Sequence, residues 1–125
     1  MDKISFSWNL LFKCNYRCPY CWFDGNWQRM DKMNRFLAVS ELARYWRNIY
    51  QRYGKVHIDI LGGEPFLYPN FTELIHELSN MHSLGIATNL SCDIEAFVKN
   101  INHSNAGGVC HFETAFHGRC RAYRN

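Results

Sequence analysis

Val56-His57-Ile58-Asp59-Ile60-Leu61-Gly62-Gly63-Glu64-Pro65 is the stretch on which the fold turns. Val56, Ile58 and Ile60 alternate with other residues, the period-two pattern of a strand with one buried face. The strand then breaks at two glycines, a glutamate and a proline. Upstream, Leu42, Tyr45, Trp46, Ile49, Tyr50 and Tyr53 recur at steps of three and four, which places them on one helical face. Ser40 can cap that helix, and Gly54 stands at the expected stop. Downstream, Asn70 and Glu73 have capping-box spacing before a second stripe of Phe71, Leu74, Ile75 and Leu78.

The same alternation continues to both ends. Ile4 to Phe12 reads as a first strand, and residues 22–38 read as irregular, with a turn at Gly25-Asn26. Leu84 and Ile86 mark a third strand ending at Thr88-Asn89. Ser91 can cap a third helix that buries Ile94, Phe97, Val98 and Ile101. After Gly107-Gly108, Val109 to Phe116 make a fourth strand. The order βαβαβαβ predicts an α/β fold with a parallel sheet and right-handed crossovers. Ligands in such sheets sit at the carboxyl ends of the strands. An eight-unit parallel barrel needs ~250 residues, so 125 residues hold about four βα units.

A composition of 47% hydrophobic and 20% charged residues predicts a packed core rather than disorder. The net charge of +3 is spread without a concentrated basic patch, so nucleic acid is not an expected partner. No run reaches the ~18 apolar residues of a membrane span. The start, Met1 to Phe12, is broken by Ser5, Ser7 and Asn9 and reads as a strand, not a signal peptide. Without an export signal, clustered cysteines read as metal ligands in a cytoplasmic protein rather than as disulfides.

Three of the six cysteines fall in Cys14-Asn15-Tyr16-Arg17-Cys18-Pro19-Tyr20-Cys21, a C-x3-C-x2-C loop after the first strand. Three thiolates can hold three corners of a cubane iron–sulfur cluster and leave one iron open, where four cysteines would close it. Tyr20 and Trp22 are placed to shield such a cluster from water. Zinc is the alternative, with Cys92, Cys110, His111 or Cys120 as a fourth ligand. At the second strand's end, Gly62 and Gly63 allow close approach to the backbone. Glu64 offers a carboxylate to an ammonium group, and Pro65 stiffens the exit. Alone, the same four residues also describe an ordinary turn.

Together, the two motifs in this order resemble the radical S-adenosylmethionine (radical SAM) superfamily. The likeness includes Tyr20 before the last cysteine and Thr88-Asn89 after strand three, and it extends from about Trp8 to His117. It implies a partial (β/α) barrel of about four strands and three helices. It further implies that Cys14, Cys18 and Cys21 hold a [4Fe–4S] cluster whose fourth iron is chelated by SAM. Gly62, Gly63 and Glu64 would hold the methionyl ammonium, with Tyr20 near the adenine and Asn89 and Glu113 completing the cofactor-binding set. The implied reaction is reductive cleavage of SAM to a 5′-deoxyadenosyl radical, which abstracts hydrogen from an unknown substrate.

The family core usually has six βα units, so the chain reads as one truncated core domain, 1–125. Its cluster loop is 14–21, its SAM-binding turn 62–65 and its basic tail 118–125. A second chain completing the barrel and an electron donor such as flavodoxin or ferredoxin are the implied partners. The alternative is an inactive remnant or metal-binding module retaining iron–sulfur or zinc. Strand alternation lets only one of Glu113 and Thr114 point inward. His117 reads as a surface histidine. Cys92, Cys110 and Cys120 read as unliganded thiols, the Trp46 and Tyr50 stripe as packing, and Arg119, Arg121 and Arg124 as a solvated tail.

Overall fold

The computed structural model describes residues 3–101 in full, and the backbone alone of residues 102, 110–113 and 121–122. Strand β1 spans Ser5–Leu11, and a two-residue strand β2 spans Tyr16–Arg17. Helices α1 and α2 span Trp27–Asp31 and Val39–Tyr53, followed by strand β3 at His57–Gly62. A 3-10 turn at Pro65–Leu67 leads to α3 at Phe71–Ser79 and β4 at Ser83–Ala87. Helix α4 spans Ile94–Asn102, β5 Cys110–Glu113 and β6 Arg121–Ala122. The main sheet has the order β1-β3-β4-β5, and every neighbouring pair is parallel.

The alternating residues explain this order. Ile58 and Ile60 on β3 and Leu84 and Ile86 on β4 are fully buried, against Leu74, Ile75 and Leu78 of α3. Each such side chain contributes about 1.5–3 kcal/mol when taken out of water. Helix α2 adds Leu42, with Trp46 and Ile49 packed at the core's edge. Trp46 meets Phe6 and Trp8 of β1 at ring-centroid distances of 5.6 and 5.2 Å. Its carbonyl also bonds to the buried imidazole of His82, 3.0 Å away. Near the end of β1 the register shifts between Asn9 and Leu11, so Leu10 and Leu11 are both buried. Such a bulge bends the strand and re-aims the next segment, here the cysteine loop.

Several sequence expectations are corrected. Residues 22–38 contain α1, which buries no residue and so has no apolar stripe to betray it. Helix α2 starts at Val39 with Ala38 as its N-cap, leaving Ser40 inside the helix. Asn70 adopts a left-handed conformation at φ 58° and makes no side-chain cap bond, so the capping box with Glu73 does not form. Ahead of α4, Asp93 rather than Ser91 receives the Ala96 amide, at 3.1 Å. A side-chain cap is worth ~0.5–2 kcal/mol, less than the summed burial of each helix's stripe, so packing sets these helix starts. Of the α2 stripe, Tyr45, Tyr50 and Tyr53 stay exposed, although Tyr50 still meets His82 edge-on.

Of the fourth strand, the described part is Cys110–Glu113. Val109, Thr114, Phe116, His117, Arg119, Cys120 and Arg124 lie outside the described residues. The basic tail is not wholly solvated, because Arg121–Ala122 pairs antiparallel with Tyr16–Arg17 of the cysteine loop. Among the described residues no helix is long and apolar enough to cross a membrane.

Candidate functional site

The cysteine loop and the Gly-Gly-Glu turn meet at the carboxyl ends of β1 and β3. The Gly63 amide donates to the Leu11 carbonyl at 3.0 Å, and the Glu64 amide to Lys13 at 2.8 Å. These two bonds carry the β1–β3 ladder to the residue before Cys14. Both glycines are required by this approach. A Cβ on Gly63 would sit 2.0 Å from the Lys13 carbonyl oxygen, and one on Gly62 would sit 2.5 Å from that of Leu11. Gly62 also has φ 142°, which side chains rarely adopt. On the side that a Cβ would take, the space is filled by the backbone leading into the cysteine loop.

Glu64 is 1% exposed, and its carboxylate is fully engaged by the protein. Oε1 accepts from the Thr88 hydroxyl at 2.7 Å and the Phe66 amide at 3.3 Å. Oε2 accepts from the Asn89 amide at 2.7 Å. A buried carboxylate with three donors is held in one position, since leaving any of them unpaired would cost ~1–3 kcal/mol. Thr88 and Asn89, where strand β4 gives out, therefore belong to the Glu64 turn.

Asn89 also reaches the cysteine loop. Its Nδ2 donates to Asn15 Oδ1 at 2.9 Å and lies 3.9 Å from the Cys14 sulfur. Asn15 Nδ2 in turn donates to Ser91 Oγ at 2.9 Å, which is where the hydroxyl expected to cap a helix is used. A second tether holds the loop's entry. Asn34 receives the Phe12 amide at 2.6 Å and donates to the Phe12 carbonyl at 3.2 Å, as a neighbouring strand would. These roles of Asn15, Asn34 and Ser91 carry no local sequence signal, because the bonds span 22 to 76 residues. Only the position of Asn15 inside the loop could have drawn attention to it.

The loop itself is stiffened from within. The Cys21 amide bonds to the Cys18 carbonyl at 3.0 Å, and the Tyr16 amide to the Cys14 sulfur at 3.4 Å. The Arg17 guanidinium donates to the carbonyls of Cys14 and Tyr16, both at 2.9 Å, and lies 4.8 Å from the centre of the Trp27 ring. Burial raises the pKa of the Cys14 thiol above its usual value, and the charges of Glu64 and Cys21 push the same way, while the Tyr16 amide and Arg17 oppose them. Cys92 is raised too, by burial and then by Glu64. Cys14, Cys21 and Cys92 are free thiols. Tyr20 is 49% exposed and Trp22 95%, so Trp22 shields nothing in this form; Phe12, Phe23 and Trp27 pack behind the loop instead. The backbone of Glu113 pairs in register with Ala87, one residue before Thr88.

Comparison with known families decides the assignment. The pattern of the radical SAM superfamily matches residues 8–114. The chain belongs to the radical SAM superfamily. Its resemblance to individual proteins is shorter. It is 34% identical over 71 residues to a GTP 3′,8-cyclase of Vibrio vulnificus (strain YJ016), covering 57% of this chain and 21% of that protein. It is 35% identical over 88 residues to the GTP 3′,8-cyclase of Klebsiella pneumoniae (strain 342), covering 66% and 26%. For Actinobacillus pleuropneumoniae serotype 3 (strain JL03) the figures are 37% over 71 residues, 57% and 20%. The chain thus spans about a quarter or less of these relatives' length. No solved structure gives a significant match.

Members of this superfamily work with a [4Fe–4S] cluster and SAM. The donor chemistry here fits such a cluster: three sulfur ligands lie on one eight-residue loop, and Cys21 is near enough for its charge to act on Cys14. Among the described residues no three His, Cys, Asp or Glu side chains converge on a metal position.

Proposed function

We propose that this chain is the cluster- and SAM-binding part of a radical SAM enzyme, a partial (β/α) barrel that cleaves SAM reductively. Cys14, Cys18 and Cys21 hold the [4Fe–4S] cluster. The Gly62-Gly63-Glu64 turn, with Tyr20, Asn89 and Glu113, holds SAM. When bound, the reduced cluster supplies the electron that breaks the sulfonium C–S bond, giving methionine and a 5′-deoxyadenosyl radical. The observation that carries this reading is the bonded joint between the cysteine loop and the Glu64 turn, made by Gly63, Glu64 and Asn89.

The chain's own residues have distinct parts in this reading. The Glu64 carboxylate charge, held beside the loop by Phe66, Thr88 and Asn89, fixes the turn, whose backbone receives the ammonium of SAM. Asn15 and Asn89 keep Cys14 at a set distance from that charge. Arg17 draws in the Cys14 and Tyr16 carbonyls and shapes the loop for its three sulfurs. A reductant and, for the rest of the barrel, further polypeptide are the partners this reading needs. The shared identity with GTP 3′,8-cyclases makes a purine nucleotide the first substrate class to examine.

Anaerobic reconstitution with iron, sulfide and a thiol reductant tests the ligand set. The full chain is expected to turn brown and to take up about four iron atoms, and Cys18→Ala is expected to lose the cluster while keeping its helical signal. A colourless protein holding one zinc would overturn the assignment.

A further inference from the structure

The face of the sheet turned away from the helices carries an ordered polar group that the cluster site does not use. Side chains alternate along each strand, so His57 and Asp59 of β3 lie opposite the buried Ile58 and Ile60. Ser83 of β4 pairs with His57 in register, as Ser7 of β1 and Gly85 of β4 do with Asp59. His57 Nδ1 lies 2.7 Å from Ser83 Oγ, and Nε2 lies 2.9 Å from Asp59 Oδ1. A neutral imidazole satisfies both contacts, accepting from the serine and donating to the carboxylate. Asp59 is thereby aimed by a fixed chain of side chains.

Gly85 keeps the place open. Glycine in the middle of a strand weakens it and often marks close approach by a ligand or another backbone. A Cβ here would stand 2.6 Å from Asp59 Oδ1 and 3.4 Å from His57 Nε2, so any larger residue would push the carboxylate off the imidazole. Beside it is a cavity of about 140 Å³, lined by Ser7, Asp59, Leu61, Gly85, Ile86 and Ala87. Asp59 is its only ionisable side chain among the described residues, and no described residue bonds to the second carboxylate oxygen. The Asp59 side chain is 43% exposed, so a ligand can reach it from this face of the sheet.

We propose that His57 and Asp59, backed by Ser83 and given room by Gly85, form a binding site for a cationic nitrogen group, an amine or a guanidine. The imidazole fixes Oδ1, leaving Oδ2 to accept the ligand's N–H with the Ser7 hydroxyl alongside. The apolar side chains on the same face of the wall, Leu61 and Ala87, seat the carbon part of the ligand. The cavity is small enough to take a head group rather than a whole nucleotide. Asp59 lies three residues before Gly62 on the same strand.

Methylguanidinium and its neutral isostere methylurea are suitable probes, titrated into the full 15N-labelled chain while amide shifts are followed. Methylguanidinium is expected to move the Asp59 and Gly85 amides saturably, with methylurea weaker by about tenfold or more, the loss of a charge-assisted hydrogen bond. Asp59→Asn should weaken methylguanidinium by a similar factor while the spectrum stays dispersed. Equal response to the two probes, or no saturable shift at these amides, would overturn the proposal. The comparison of probes on the unmodified chain stands even where the variant fails to fold.

Discussion

Gly63 is held to glycine by its neighbour's backbone. A Cβ 2.0 Å from the Lys13 carbonyl meets main chain that is itself bonded to Glu64, so it cannot swing aside as a side chain would. Overpacking of this kind costs ~1–3 kcal/mol and sometimes more. Gly63→Ala is expected at the upper end, about 3 kcal/mol, read as a lower urea midpoint. A variant with an unchanged midpoint would show that the turn and the loop do not touch as described. Tyr68 makes a different kind of test. Burial raises its phenol pKa above the usual 10.0, and its hydroxyl donates to the Leu37 carbonyl at 2.6 Å, a bond that only the neutral phenol makes. A raised folded-state pKa means that its contribution is intact below the unfolded value and is lost as pH rises from there through the folded value. Stability should therefore fall above about pH 10, and Tyr68→Phe should flatten that part of the profile. An identical alkaline profile in the variant would rule out Tyr68 as its source.

At the scale of elements, the site depends on loops tied together after the strands end. Asn15 and Asn89 join the loop after β1 to the loop after β4 without any regular ladder between them. The Asn89 backbone amide reaches Glu64 independently of its side chain. Asn89→Ala should thus release the cysteine loop and leave the Glu64 turn in place. After reconstitution the variant is expected to bind less iron and to bleach faster on dilution, with a thermal midpoint close to that of the unmodified chain. Unchanged iron content and bleaching would make the clasp incidental. The sequence revealed β1, β3 and β4 because half-buried strands must alternate. It did not reveal β2, β6 or α1: a two-residue strand has no period, and a helix that buries nothing has no stripe. Capping residues misled for a related reason, since Ser40, Asn70 and Ser91 can form local bonds that packing and the Asn15 contact override.

For the molecule as a whole, membership of the radical SAM superfamily was legible because its two motifs pair cysteine ligands with a glycine-rich turn in a fixed strand order. The residue spacing did not disclose that Gly62 and Gly63 serve a backbone approach, nor that protein donors already occupy Glu64. Those facts depend on contacts between distant loops. They make the cysteine loop and the turn one mechanical unit, built at the end of a four-stranded parallel sheet. The chain covers 20–26% of the length of the GTP 3′,8-cyclases it resembles, so the central claim concerns SAM cleavage by this unit and not turnover of their substrate. The most direct measurement is the formation of 5′-deoxyadenosine from SAM by the reconstituted, dithionite-reduced chain under anaerobic conditions. The expected result is 5′-deoxyadenosine and methionine in equal amounts, abolished in Cys14→Ala. A fully loaded cluster that yields no 5′-deoxyadenosine would contradict the claim.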